Sequence, residues 1–129
     1  MGQKYLMVTN TVIDFFGNKL PVQATMFLES ITPIISVITQ IEVLGWYNST
    51  PEDILALTDY LNEFNILSLD EATIFKTIEI RQNYRIKTPD AIVAATALVH
   101  GLTLISRNRS DFKNITGINL MDSHNLTIG

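Results

Sequence analysis

The sequence predicts an α/β fold in which a parallel sheet carries helices on both faces. Short, continuous apolar runs alternate with longer segments of helical periodicity along the 129 residues. Such runs are typical of strands that are covered on both faces. Strands that alternate with helices form parallel pairs through crossover connections. The five predicted strands are Tyr5–Val8, Ile34–Ile38, Ile66–Leu69, Leu102–Ile105 and Ile118–Met121.

Helical patterns fill the first half of the chain between these strands. After the polar break at Thr9–Thr11, a brief helix over residues 12–16 ends at Gly17-Asn18. A second helix spans Pro21–Ser30, with Val22, Met26 and Phe27 on one face. Thr39 and Glu42 fit a capping box that opens the next helix. Thr50-Pro51 opens another, in which apolar residues recur at helical spacing up to Phe64.

Two helices are predicted in the second half. The first runs from Asp70 to about Arg85. The second opens with Thr88 as N-cap and Pro89 at the first helical position, and Gly101 stops it. Its alanine- and valine-rich turns contain few polar residues, so we expect this helix to be buried on most sides.

Composition narrows the class of protein. The length suits one domain, residues 1–129, and 47% apolar residues with a mean hydropathy of +0.21 predict a well-buried core. The net charge of −4 argues against a bulk nucleic-acid binder, although a local basic patch is compatible with it. There is no cysteine, which excludes disulfides and thiolate chemistry. Without a membrane-spanning run or signal-peptide pattern, we expect a soluble cytoplasmic protein.

Three acidic residues are candidates for chemistry, and each also has a purely structural interpretation. Glu42 fits a capping box, Asp90 complements the dipole of its helix, and Asp111 reads as a solvated loop residue. However, Glu42 and Asp111 each follow a predicted strand, and Asp90 opens the helix that leads into one of those strands. In an open parallel sheet, sites form beyond the carboxyl ends of the strands.

Clustered carboxylates repel one another unless a cation joins them. Oxygen ligands without histidine or cysteine suit Mg²⁺ or Mn²⁺, and such sites hydrolyse phosphodiesters. Arg107, Arg109 and Lys113 surround Asp111. They are either ordinary surface charge or, beside an acidic metal site, groups that hold the phosphates of a nucleic acid.

Four segments, taken in this order and spacing, carry a family resemblance. They are Tyr5–Ile13, Ser36–Glu42, Thr88–Ala97 and Leu104–Phe112. On these motifs the chain resembles the PIN-domain proteins, most closely the VapC-type toxins of bacterial toxin–antitoxin pairs. The resemblance implies a three-layer α/β/α domain and a metal-dependent endoribonuclease that is usually dimeric. It also implies a small antitoxin that wraps the toxin and blocks its site.

The resemblance assigns site residues one by one. It places the acidic ligands of Mg²⁺ or Mn²⁺ at Glu42, Asp90 and Asp111. Asn108 lies in the same loop as Asp111 and is a candidate for a polar supporting ligand. The family's first acid falls on position 8, where this chain has Val8. Valine offers no oxygen, and Asp14 lies too far into the following helix to replace it. We therefore expect weak metal binding and slow or absent RNA cleavage.

Two alternatives remain open at the level of sequence. One is a catalytically inactive PIN module that acts by binding a protein or RNA. The other is an unrelated small α/β domain of flavodoxin-like or receiver-like fold, which the lack of a glycine-rich phosphate loop disfavours. Trp46 and Tyr47 close a helix, and we expect them in the core rather than in a dimer or antitoxin contact.

Overall fold

A computed structural model of the chain describes residues 3–46 and 48–126. In these residues five strands form one sheet in the order β3-β2-β1-β4-β5, and every neighbouring pair is parallel. The predicted all-parallel sheet is confirmed. The strands are β1 (Tyr5–Met7), β2 (Ile34–Ser36), β3 (Asn65–Leu67), β4 (Thr103–Ser106) and β5 (Leu120–Asp122).

Six α-helices in the described residues cover the two faces of the sheet. They are α1 (Thr9–Phe16), α2 (Val22–Glu29), α3 (Val37–Leu44), α4 (Pro51–Leu61), α5 (Glu71–Asn83) and α6 (Thr88–His100). One core cluster joins the sheet to α5 and α6, and a second joins it to α1, α2, α3 and α4. The architecture is therefore a three-layer α/β/α fold.

The strand side chains explain why both faces are covered. Leu6 points into the core cluster beneath α6, whereas its neighbour Met7 points into the opposite cluster. Leu104 and Ile105 divide in the same way on β4, which pairs with β1 in register. Because successive strand side chains face opposite sides, a continuous apolar run fits only a sheet buried on both faces.

Several boundaries differ from the sequence prediction because the chain turns into a helix sooner than expected. The β2 strand ends at Ser36, which is the N-cap of α3 and accepts a hydrogen bond from the Ile38 amide. The capping box predicted at Thr39 and Glu42 is therefore wrong. A capping box does form at Thr50, whose hydroxyl accepts from the Asp53 amide while the Asp53 carboxylate accepts from Thr50.

Other local predictions are corrected in the same way. Helix α1 begins at Thr9, directly after the strand, so no polar break separates them. Lys87, not Thr88, is the N-cap of α6, while Gly101 does end this helix in a left-handed conformation with φ +66°. On α2 the side chains of Val22 and Met26 are exposed, and Ala24 and Leu28 are buried beside Phe27.

The order of the strands decides where a site can form. Strands β2, β1 and β4 are adjacent, so their carboxyl ends open at one edge of the sheet. Helix α1, helix α3 and the loop after β4 all begin at this edge. Within the described residues, no helix combines the length and the apolar character that a bilayer crossing requires.

Candidate active site

The three sequence-predicted acids line one cleft at the carboxyl edge of the sheet. We call this cleft of about 540 Å³ the acidic cleft. Glu42 reaches it from α3, Asp90 from the first turn of α6, and Asp111 from a short 3₁₀ helix, Arg109–Asp111, that follows β4. The lining of the cleft includes Val8, Thr9, Asn10, Asp14, Glu42, Trp46, Asp90, Arg107, Asn108 and Asp111.

Val8 lies at the end of the central strand. Its side chain is only 5% exposed and packs in the core cluster that contains Ala91 and Ala94 of α6. It is also the N-cap of α1, with no side-chain hydrogen bond to the helix. Position 8 therefore supplies only methyl groups. An acidic side chain at this position would face the cleft and could also accept hydrogen bonds from the free amides at the start of α1.

Glu42 is held by a contact that its sequence motif did not predict. The Thr9 hydroxyl donates a hydrogen bond to the Glu42 carboxylate, joining the start of α1 to α3. Because Ser36 caps α3, the Glu42 side chain is not used as a helix cap. Its carboxylate is therefore oriented by α1 at the rim of the acidic cleft.

Asp90 has a carboxyl whose pKa is shifted by its position in the cleft. Burial raises the pKa of its carboxyl, and the negative charges of Asp111 and Glu42 raise it further, while Lys87 acts in the opposite direction. Asp111 and Glu42 thus act on Asp90 even though the three carboxylates come from distant parts of the chain. The negative charge of Asp90 is unfavourable in this position, and a cation placed nearby would stabilise it.

Asp14, considered from the sequence only as a replacement for the first acid, also lines the acidic cleft. Its carboxylate is buried, and both oxygens accept hydrogen bonds from Arg107 Nη1 at 3.3 and 3.0 Å. The sequence signal for this placement was the spacing of Asn10, Ile13 and Asp14, which a helix that starts at Thr9 places on one face toward the cleft. Asp14 therefore adds a fourth carboxylate, but one that is neutralised by Arg107.

The basic and polar candidates divide into two groups. Arg107 and Asn108 line the acidic cleft, and their backbone amides donate to Asn10 Oδ1 at 3.2 Å and to Ser106 Oγ at 3.0 Å. Arg109 and Lys113 are exposed and lie outside the lining of the cleft. The predicted basic strip is therefore split between the cleft wall and the surrounding surface.

Trp46 follows the end of α3 and is 65% exposed, so the prediction that it belongs to the core is wrong. Its ring lines the acidic cleft and also a smaller, largely apolar groove of about 300 Å³ that includes Phe16 and Leu57. Tyr47, predicted to share its environment, lies outside the described residues.

The side-chain oxygens of the cleft can be compared with the ligands that divalent cations prefer. Glu42, Asp90 and Asp111 offer hard carboxylate oxygens, and Asn108 offers an amide oxygen, which is the chemistry that Mg²⁺ and Mn²⁺ select. The residues fit such an ion in type. In the part of the chain that the structure describes, however, no three acidic or histidine side chains are grouped closely enough to hold a metal ion.

Comparison with known proteins decides the family. The family model described as "PIN domain" matches residues 5–118. The chain belongs to the PIN domain family. Members of this family are nucleases and generally use divalent metal ions, which supports an enzyme by descent. A comparison with curated proteins finds no match.

Several solved structures resemble this chain over nearly its whole length. A toxin–antitoxin complex from Klebsiella pneumoniae is 32% identical, covers 97% of this chain and 100% of its own, and superposes with a TM-score of 0.77. DNA-bound VapBC from Salmonella typhimurium is 27% identical over 95% of this chain and 99% of its own, with a TM-score of 0.83. VapBC-1 from nontypeable Haemophilus influenzae, 23% identical over 94% and 98%, shares the fold with a TM-score of 0.79. Two of these three structural neighbours are thus VapBC complexes, and the third is a toxin–antitoxin complex.

Proposed function

We propose that this chain is a VapC-type endoribonuclease toxin whose chemistry is impaired by Val8. The observation that carries the proposal is the meeting of Glu42, Asp90 and Asp111 at one cleft of a PIN domain. Nuclease chemistry needs concentrated negative charge at this edge of the sheet, because that charge selects a hard cation.

In this proposal Glu42, Asp90 and Asp111 hold Mg²⁺ or Mn²⁺, with Asn108 in support. When bound there, such an ion would supply the chemistry that activates water and neutralises charge on the phosphate. Thr9 fixes the Glu42 carboxylate through its hydrogen bond. Arg107 uses Nη1 for Asp14 and keeps its other N–H donors for a phosphate oxygen. Arg109 and Lys113, exposed beside the cleft, add positive charge along the RNA.

Val8 lowers the affinity for the ion because it leaves the ligand set one carboxylate short. Asp14 does not compensate, since its buried carboxylate is already paired with Arg107. We therefore expect slow RNA cleavage, or none, from the chain as it stands.

The test compares RNA cleavage by the unchanged chain and by Val8→Asp, each with Mn²⁺. We expect Val8→Asp to cleave and the unchanged chain to be at least about a hundredfold slower, the range over which one electrostatic group acts in catalysis. Val8→Asp combined with Asp90→Asn is the matched control and should be inactive. Equal, robust rates for the unchanged chain and Val8→Asp would rule out the impairment.

We further propose a small antitoxin as partner. The Klebsiella relative is a toxin–antitoxin complex, and this chain exposes an apolar surface beside its own cleft. Phe16, Trp46 and Ile54 are 43%, 65% and 41% exposed, and the first two line the apolar groove. Exposed aromatic side chains of this kind are enriched in protein interfaces. Co-expression with the product of the neighbouring small gene should give co-elution in size-exclusion chromatography, and separate elution would contradict it.

A homodimer is the second proposed assembly. Helix α5 packs against α6 but exposes Ile74, Phe75 and Ile78, at 42%, 63% and 48%. Three neighbouring apolar side chains on one helix face favour contact with a second copy. Light scattering should give about twice the 14.5 kDa chain mass, and Phe75→Glu should reduce it to the monomer value. A monomeric unchanged chain would contradict the dimer.

The second candidate function is an inactive PIN module that acts through binding alone. Val8, which fills the position of the first acid with methyl groups, is the observation that favours it. Titration calorimetry with Mn²⁺ separates the two candidates. Heat that disappears in Asp90→Asn supports the metal-dependent nuclease, whereas no heat in either protein supports the binding module.

A further inference from the structure

A second cavity adjoins the acidic cleft. It has a volume of about 480 Å³ and shares Asp90 and Asp111 with the acidic cleft, so the two cavities meet at these carboxylates. We call it the α5–α6 cavity, because residues 84–87 between those helices form one wall. The opposite wall contains Ser110, Asn114 and Ile115, from the chain that follows β4.

Two cations distinguish the α5–α6 cavity from the acidic cleft. Arg85 and Lys87 both line it, and both are exposed. None of the three ion pairs among the described residues includes either of them. Lys87 is close enough to Asp90 to lower the pKa of that carboxyl against the larger opposing effects. The α5–α6 cavity therefore places two cations beside the acids, in addition to Arg107 in the acidic cleft.

The wall that carries these cations is anchored at both ends. Arg81 Nε donates a hydrogen bond to the Ile86 carbonyl at 3.4 Å, which connects the end of α5 to the loop that follows it. The Tyr84 hydroxyl accepts from the Thr116 amide at 3.1 Å and lies 3.0 Å from the Thr116 hydroxyl, so it bridges the two walls. The two cations therefore lie on a segment whose backbone is held against the rest of the molecule. This limits the backbone entropy that is lost when a ligand binds.

We propose that Arg85 and Lys87 form a phosphate subsite that holds the backbone of single-stranded RNA next to the acids. The proposal rests on the proposed nuclease function and deepens it by assigning a path to the substrate. A strand whose reacting phosphate lies at Asp90 and Asp111 continues into both adjoining cavities. On the α5–α6 side its next phosphate meets two cations, and Ser110 and Asn114 offer polar groups to the sugar.

The shape of the two cavities favours a single strand. They are separate pockets of about 540 and 480 Å³ joined at the acids, which suits a chain of nucleotides laid across them one after another. A rigid duplex instead presents broad grooves and two backbones. A basic groove that follows one backbone is the usual way in which proteins hold single strands. The net charge of −4 confines this contact to the local patch.

The test measures binding without catalysis. A fluorescein-labelled single-stranded RNA is titrated in EDTA with the unchanged chain, with Arg85→Gln/Lys87→Gln, and with Lys4→Gln/Lys19→Gln. The last is the matched control, because it also removes two exposed charges but lies outside both cavities. We expect the first pair to weaken binding about tenfold and to reduce the salt slope by about 1.4, the value for two phosphate contacts on a single strand. The control should keep nearly the unchanged affinity and slope.

A charge-preserving variant guards against misfolding. Arg85→Lys/Lys87→Arg should retain binding, and circular dichroism should give the same fold for all variants. Equal losses in the cavity pair and the control pair would overturn the subsite, as would a stronger affinity for duplex RNA. Failure of the unchanged chain to bind any RNA would overturn the proposed function together with the subsite. Normal binding by the unchanged chain and by Arg85→Gln/Lys87→Gln would overturn the subsite alone.

Discussion

Arg107 Nη1 donates hydrogen bonds to both carboxylate oxygens of Asp14, at 3.0 and 3.3 Å. The pair joins α1 to the loop that follows β4. The same junction is strengthened by the Thr11 hydroxyl, which donates to the Ile105 carbonyl at 2.9 Å. Since this loop leads directly to Asn108 and Asp111, the Asp14–Arg107 pair fixes the position of one wall of the acidic cleft.

Removal of the guanidinium should destabilise the fold. In Arg107→Ala the Asp14 carboxylate stays buried without a partner, and we expect a loss of about 2 kcal/mol in the free energy of unfolding. Arg107→Ala/Asp14→Asn removes the unpaired charge and should recover more than half of that loss. Urea unfolding of the four proteins of this cycle measures the coupling. Additive losses would show that the two side chains do not stabilise each other.

Asp90 should make stability depend on pH with a definite sign. The pKa of its carboxyl in the folded chain is raised above 3.8, so the native state binds more protons than the unfolded state between 3.8 and the raised value. The contribution of Asp90 to stability therefore falls as the pH rises through that interval. Asp90→Asn should be more stable than the unchanged chain at neutral pH, and the difference should shrink toward pH 4. A constant difference across this range in urea unfolding would contradict the assignment.

Divalent cations should offset the destabilising effect of the Asp90 carboxylate. An ion beside Asp90 favours its charged form, so Mn²⁺ should stabilise the unchanged chain by about 1.4 kcal/mol at ten times its dissociation constant. The comparison is a thermal unfolding series with Mn²⁺ and with EDTA. Asp90→Asn serves as the matched control and should respond weakly. An equal shift in both proteins would place the ion elsewhere on the molecule.

The fold was predictable because its signal is redundant. The central strands carry consecutive apolar residues, and Leu6 with Met7, or Leu104 with Ile105, can be buried only between two helical layers. Boundaries were less predictable because local motifs compete. Thr39 and Glu42 match a capping box, but α3 begins three residues earlier than this motif predicts, and Ser36 is its N-cap. Thr50 and Asp53 match the same motif and do form it, with Pro51 fixing the start of the helix directly after Thr50.

The site was predictable only in part, for a related reason. Strand order brings residues after β2 and β4 to one edge, so Glu42 and Asp111 could be expected at the same cleft. Asp14 was considered only as a replacement for the first acid, so its pairing with Arg107 across the cleft was not expected. Arg85 and Lys87 had no motif at all, since their relation to the acids depends on the path of the loop between α5 and α6. Such tertiary relations leave no periodic signal in sequence.

Trp46 should separate binding from stability. Its side chain is 65% exposed, so Trp46→Ala should change the free energy of unfolding by less than about 0.5 kcal/mol. If the apolar groove receives a partner, the same substitution should weaken the complex by about 2 kcal/mol or more, as for an aromatic hot spot. Val22→Ala, an exposed apolar residue on α2, is the matched control and should leave the complex intact. Large destabilisation of the isolated chain by Trp46→Ala would contradict the exposed position.

Restoring an acid at position 8 sets two physical effects against each other. Val8→Asp gives α1 a side-chain N-cap, worth about 1 kcal/mol, but removes packed methyl groups and buries a charge beside Asp90, Glu42 and Asp111. Repulsion and lost packing together exceed one cap, so in EDTA we expect Val8→Asp to be about 1–2 kcal/mol less stable than the unchanged chain. Val8→Asn, which can cap without adding charge, should lose less. Mn²⁺ should reverse the order of Val8→Asp and Val8→Asn in urea unfolding, because only the carboxylate gains from a cation. The same order with and without Mn²⁺ would show that position 8 does not face a cation site.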